Sequence, residues 1–234
     1  MCYLTAAMSD KIVLYTFWRS SCAHRVRIAL GFKRLSYRSV FVDLISGAQH
    51  AADYHIKSPT GYVPALEINN RVLVESVAIL EYLEQVYPEP RLLPNDAFAR
   101  AQVRSIVQMI VSGIQPLQNL NVLIKISDHK DQHLGSSQPI NERGYAFARH
   151  YNERGLASIE ATLAQLEAQG VTGPFCYGTQ FGMADVVLGP QIAAARRFGV
   201  DLSKYPRVMR ATNAADELDF VKAAAPEAQP DFPG

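Results

Sequence analysis

The chain has 234 residues, enough for one or two domains and for a core that needs neither disulfides nor a metal. Apolar residues make up 48% and charged residues 19%, which excludes disorder along the whole chain. Lys and Arg number 23 against 22 Asp and Glu, a formal net charge of +1. No diffuse field then draws in nucleic acid or an anionic membrane, and any bound anion must be caught locally.

Residues 1–10 read as an N-terminal tail without the basic and long apolar regions of a secretory signal. Residues 12–17, IVLYTF, form a short apolar run that fits a buried strand. After the polar WRSSC the period turns helical, with Val26, Ala29 and Leu30 on one face. Residues 37–43 read as a second strand, parallel to the first across that crossover helix. Residues 47–58 form a polar, helical connection. Residues 64–68 and 71–74 are β-rich runs joined at Asn69-Asn70, and Asn tolerates the positive φ of a tight hairpin. Ser76 fits a helix N-cap, Val77, Leu80 and Leu83 give the buried stripe, and Pro88 ends it.

The order β-α-β-α-β-β-α thus fills an α/β unit over 11–88. Residues 89–96, part of a proline-rich stretch, read as a stiff linker. Beyond it, 97–225 carries helical periodicity only, over 97–126, 145–168, 183–198 and 206–222. Residues 127–144 are polar and aperiodic and read as a long loop. Residues 226–234 read as an irregular tail. No apolar run approaches the ~18 residues of a membrane span. The cysteines Cys2, Cys22 and Cys176 are odd in number and sparse, which predicts a reducing, cytoplasmic setting. The histidines lack metal-ligand spacing, so no metal is expected.

Three short motifs carry the chemistry. In Ser20-Ser21-Cys22, hydroxyls and a thiol fall where the first helix begins. A helix N-terminus favours an anion, and hydroxyls there can donate to a thiolate. The same serines also fit a plain N-cap. Arg25 occupies the place that would complete a C-x-x-C, which argues against a dithiol redox cycle. Val63-Pro64 precedes the third strand. With a cis bond its backbone could pair with an extended peptide, and with the commoner trans bond it merely starts an edge strand. Glu75-Ser76 places a carboxylate and a hydroxyl at another helix start. They could hold an ammonium and a carboxylate, or serve as a simple cap. Together the three would suit a γ-glutamyl tripeptide thiol.

The N-terminal half resembles the thioredoxin-like domain of cytosolic glutathione transferases, and the C-terminal half their helical domain. SSCAHRVRIAL (20–30), PRLLP (90–94), GIQPLQN (113–119) and the Met183-Ala-Asp185 helix start together resemble the zeta class, which includes maleylacetoacetate isomerases. The resemblance runs from about residue 11 to 230. It implies an α/β thioredoxin-like domain followed by an all-α domain, and glutathione as the cofactor. It also implies glutathione-dependent cis-trans isomerisation of maleylacetoacetate, with a small diacid substrate and a homodimer. Ser20 takes the role of activating the glutathione sulfur, with Ser21 and Cys22 assisting. Glutathione contacts fall on His24, Arg25, Gln49, Val63, Glu75 and Ser76, with Gln115, Asn119 and Asn121 from the helical half. Arg197 matches an arginine that meets substrate carboxylate. Gly182 stands where Ser or Thr usually caps a helix. Two other readings use the same residues: a general glutathione transferase or α-haloacid dehalogenase, and a non-catalytic interaction protein with a relic thiol site.

Overall fold

A computed structural model of the chain describes residues 11–127 and 140–234. The expected tail at 1–10, with Cys2, and most of the expected 127–144 loop lie outside the described residues.

The first unit follows the predicted order. Strand β1 (Ile12–Thr16) leads into helix α1 (Ser21–Phe32) and strand β2 (Arg38–Phe41). A 3-10 turn (Ala48–His50) and helix α2 (Ala52–Lys57) connect to the hairpin β3 (Ala65–Ile68) and β4 (Arg71–Val74), and helix α3 (Ser76–Val86) follows. The strands lie in the order β2-β1-β3-β4. β1 and β2 pair in parallel, and β3 runs antiparallel to both β1 and β4. Asn69 and Asn70 take φ of 51° and 62°, the positive values that a two-residue hairpin turn demands. This is the thioredoxin-like arrangement.

The helical half departs from the simple periodic reading. Residues 97–126 break into helix α4 (Ala97–Val111), a 3-10 turn (Gln115–Gln118) and helix α5 (Leu120–Ile126). Gly113 sits in the break, where a Cβ would lie 2.6 Å from the Met109 carbonyl oxygen. Helix α6 (Glu142–Ala168) begins three residues earlier than expected, because the Asn141 side chain caps it by accepting from Gly144 N–H at 3.2 Å. Helix α7 spans Met183–Arg197. The expected 206–222 helix is two, α8 (Pro206–Asp216) and α9 (Asp219–Ala224).

One hydrophobic cluster joins the two halves, running from Leu14, Ile28 and Leu66 through Ile106 and Ile110 to Val187 and Val208. Phe32 of α1, Phe181 and Phe220 of α9 form a mutual aromatic triangle with centroids 5.1–5.5 Å apart, a geometry that adds to area burial. Gly182 accounts for itself at the start of α7. Met183 N–H donates to the Leu92 carbonyl at 2.8 Å, and a Cβ at residue 182 would crowd that oxygen at 3.0 Å. Deeper in the helical half, the amides of Gln118, Asn152 and Gln191 bond one another in the dry core.

The linker is pinned from beneath by a buried ion pair. Lys33 Nζ donates to Glu84 Oε2 at 2.6 Å and to the carbonyls of Tyr87 and Pro90. The Glu84 carboxylate also accepts from Leu92 and Leu93 N–H. The Lys33 side chain is wholly buried, so removing its partner leaves a cation in a dry site. Glu84→Gln is therefore expected to cost about 3–5 kcal/mol, read as a lowered urea midpoint. A change below about 1 kcal/mol would show that water reaches Lys33.

Residues 226–234 are more ordered in their contacts than an irregular tail. After a short 3-10 turn (Pro226–Ala228), Asp231 Oδ2 accepts from Trp18 N–H at 2.9 Å. The Phe232 ring meets Trp18 edge-on at 5.0 Å. Arg27, buried in α1, donates to the carbonyls of Trp18 and Ala224, which fastens α9 to the β1–α1 turn.

Candidate functional site

The C-terminal end of β1 and the N-terminus of α1 open into a cavity of about 410 Å³ between the two halves. Open α/β sheets place ligands at such strand ends. Eleven of the thirteen expected site residues line it: Ser20, Ser21, Cys22, Gln49, Val63, Glu75, Ser76, Gln115, Asn119, Asn121 and Arg197. His24 and Arg25 do not.

Ser20 is the N-cap of α1, and its Oγ accepts from Ala23 N–H at 3.2 Å. A hydroxyl has one proton and two acceptor sites. Capping uses an acceptor, so the Ser20 proton stays free to donate into the cavity. The cap reading is observed, and it leaves the other reading chemically open. At α3 the expectation is corrected. The N-cap is Glu75, at φ 68°, and Ser76 is the first helical residue. A non-glycine residue in this region is strained. The strained turn presents the start of α3 to the cavity, with the Glu75 side chain exposed and Ser76 buried.

The Val63–Pro64 bond is cis, the less common of the two alternatives. Val63 lines the cavity, and its N–H and C=O have no hydrogen-bond partner among the described residues. Gln49 is 1% exposed, and its Oε1 has no partner among the described residues while its Nε2 lies 3.2 Å from His50 Nε2. An unpaired buried acceptor at a cavity wall is a place for a ligand donor. From the helical half, Gln115 Nε2 donates to Asn119 Oδ1 at 2.6 Å, and Asn121 Nδ2 to the Tyr62 hydroxyl at 3.0 Å.

Arg25 is an expected contact that the structure moves behind the site. It is 1% exposed, and its Nη1 donates to Ser76 Oγ at 3.2 Å and to Cys22 Sγ at 3.7 Å. At i+3 from Cys22 it stacks beneath that residue, one helical turn from the mouth. It supports two cavity-lining side chains and is not itself in the wall.

His24 is also displaced. Two residues beyond Cys22 it lies about 200° around the helix, so the two cannot face one cavity. The ring is buried with Nε2 unpartnered. Burial first, then Arg27 and Arg25, lowers its pKa to about 3. The unfolded chain takes up this proton near pH 6.5 and the folded chain does not, so stability falls as pH drops from about 6.5 towards 3. The loss is about 1.4 kcal/mol per pH unit in that window. Urea unfolding of wild type and His24→Leu between pH 7 and 5 should differ by about 2 kcal/mol in pH dependence. Parallel curves would mean that His24 titrates normally when folded.

Arg19 was missed from the sequence. It lines the cavity with Arg197, and neither has a carboxylate partner among the described residues. Arg197 is exposed at its edge, yet desolvation and then the Arg19 charge lower its pKa. Two uncompensated guanidiniums on one wall form an anion site. An arginine between a strand and SSC reads as surface, and no sequence signal sets it beside a residue of α7. Tyr145 and Phe198 complete this side of the wall.

Among the described residues no group of His, Cys, Asp and Glu could hold a metal. No described helix is long and apolar enough to cross a membrane.

Comparison with known proteins bears on this geometry. Residues 14–91 match the family described as glutathione S-transferase, N-terminal domain, and residues 149–213 match glutathione S-transferase, C-terminal domain. The chain is 40% identical to the maleylacetoacetate isomerase of Mus musculus, over 96% of this chain and 97% of that one. It is 38% identical to glutathione S-transferase Z1 of Arabidopsis thaliana, covering 96% of each. A maleylacetoacetate isomerase from Anaeromyxobacter dehalogenans 2CP-1, solved with glutathione in its active site, superposes with a TM-score of 0.82. The identity is 38%, over 96% of this chain and 99% of that one.

Proposed function

The chain belongs to the glutathione S-transferase family, in its zeta class, and from that premise we propose that it catalyses glutathione-dependent cis-trans isomerisation of maleylacetoacetate. The observation that carries this reading is one cavity that holds both a hydroxyl proton free at the start of α1 and two arginines with no carboxylate partner among the described residues.

The residues present fit glutathione. The orphaned Gln49 Oε1, the open Val63 backbone and the Glu75-Ser76 helix start offer an acceptor, an edge-strand pair and a zwitterion clamp. Glutathione would supply the thiolate that adds to the alkene and later leaves, so that a double bond becomes a rotatable single bond. Ser20 Oγ–H donates to that sulfur anion, and the N-terminus of α1 adds its partial positive charge. Arg25 holds Ser76 and Cys22 in place from below. Ser76 and the first N–H groups of α3 receive the γ-glutamyl carboxylate, and Glu75 receives the ammonium. Gln49 meets the glycine end. Gln115, Asn119 and Asn121 close over the peptide from the helical half. Arg197, with Arg19, holds the substrate carboxylate.

The test is a spectrophotometric assay of maleylacetoacetate with and without glutathione. Turnover that requires glutathione is expected. Turnover without it, or none with it, overturns the proposal. A cytoplasmic homodimer goes with this reading, and a monomer mass in light scattering at micromolar concentration would count against the dimer.

A further inference from the structure

A second cavity of about 410 Å³ lies on the other side of the β1–α1 turn. It shares only Arg19, Ser21 and Arg197 with the first. Its remaining walls are Trp18, His24, α7 and the tail segment, which contributes Pro226, Glu227 and Phe232. The tail is tied down by the Asp231–Trp18 bond and the Trp18–Phe232 contact, so the chamber is part of the fold.

Its chemistry is uneven in an informative way. Trp18, Pro190, Ala193, Ala194 and Phe232 give apolar and aromatic surface. Two guanidiniums and one carboxylate, Glu227, line it, so the wall carries an excess positive charge. His24 is 7% exposed and lines this cavity, and its Nε2 has no hydrogen-bond partner among the described residues. A buried polar atom left unpaired costs stability unless something outside the chain completes it. Mostly apolar walls with a few convergent polar groups characterise small-molecule sites.

We propose that this second cavity is a binding site for a small organic carboxylate with an apolar body, adjoining the glutathione cavity and sharing Arg19 and Arg197 with it. The carboxylate lies against Arg19 and Arg197, the body packs on Trp18 and Phe232, and a polar atom of the ligand meets His24 Nε2. Because both arginines also line the first cavity, this ligand competes there with a diacid but not with the glutathione contacts, and its site stands whatever reaction the first cavity performs.

Trp18 is the single tryptophan of the chain and lines the second cavity but not the first, so its fluorescence reports occupancy there. The probe is cyclohexylacetate, and its neutral counterpart is 2-cyclohexylethanol. Titrations are run with and without saturating S-hexylglutathione, which fills the first cavity if that cavity binds glutathione. We expect saturable binding of the carboxylate in both conditions and at least tenfold weaker binding of the alcohol. His24→Leu should weaken binding roughly 2- to 12-fold, the range for one lost neutral hydrogen bond. Ala193→Phe, at an exposed position of α7 that lines only the second cavity, should abolish binding in calorimetry while leaving glutathione-dependent turnover unchanged. That variant keeps the test open should His24→Leu fail to fold. No saturation at millimolar carboxylate, equal binding of the alcohol, or undiminished binding by Ala193→Phe each overturns the proposal. Failure of the isomerase assay alone would leave this site standing.

Discussion

Ser20→Ala is expected to lower kcat roughly 100- to 1000-fold, the usual cost of removing one donor from a developing or bound anion. The geometry makes a second effect inseparable from the first. Ser20 Oγ caps α1 through Ala23 N–H, so the variant should also lose about 0.5–2 kcal/mol of stability. The two effects separate by measurement. The cap appears in the urea midpoint. The donor appears in the apparent pKa of enzyme-bound glutathione, read from thiolate ultraviolet absorbance, which should rise. Ser21→Ala and Cys22→Ala also alter the cavity wall but should each cost less than the Ser20 change. Wild-type turnover in Ser20→Ala would remove Ser20 from the mechanism. Equal losses in Ser20→Ala and Cys22→Ala would point to a protein thiolate as the nucleophile.

Arg197→Ala should raise KM for the diacid far more than KM for glutathione. A charge-assisted hydrogen bond to a carboxylate contributes about 1.5–3 kcal/mol. Its loss should therefore cost on the order of 10- to 150-fold in kcat/KM. A net charge of +1 leaves no diffuse field to compensate. Arg19→Ala should act in the same direction, since both cations line one wall. The double variant should fall short of the product of the single losses, because each arginine also relieves the other's repulsion when it is removed. A neutral electrophile should be nearly indifferent to either change. If neutral and dianionic acceptors suffer alike, Arg197 shapes the cavity and does not anchor the substrate.

The sheet was readable because its signals are local. A β-run, Asn69-Asn70 and a second β-run specify a hairpin within ten residues, and a crossover helix forces β1 and β2 parallel. The broken helices were hidden for the opposite reason. α4 and α5 present apolar residues to the same core, so periodicity carries across a gap that it does not detect. Gly113 followed by Pro116 was the available sign, a helix-ending glycine with a proline shortly after it. At the site, Ser20 and Val63 were legible because turn chemistry marks them, whereas the cap at α3 fell one residue before Ser76, on Glu75. His24 and Arg25 were read from the resemblance, and the turn of α1 carries both away from the wall of the first cavity. Arg19 was invisible because its meaning comes from Arg197, a neighbour only after folding.

The grip of Asp231 on Trp18 orders events during synthesis. The partners are 213 residues apart. At about 5–20 residues per second, translation delivers the second on the order of 10–40 s after the first. Arg27 waits nearly as long for the Ala224 carbonyl. Through that interval the β1–α1 turn that bears Ser20 has its strands and helix but not its last fastenings. The nascent first unit is therefore a scaffold whose reactive corner is finished by groups at residues 224 and 231. A chain halted before residue 224 lacks both groups that fasten this corner.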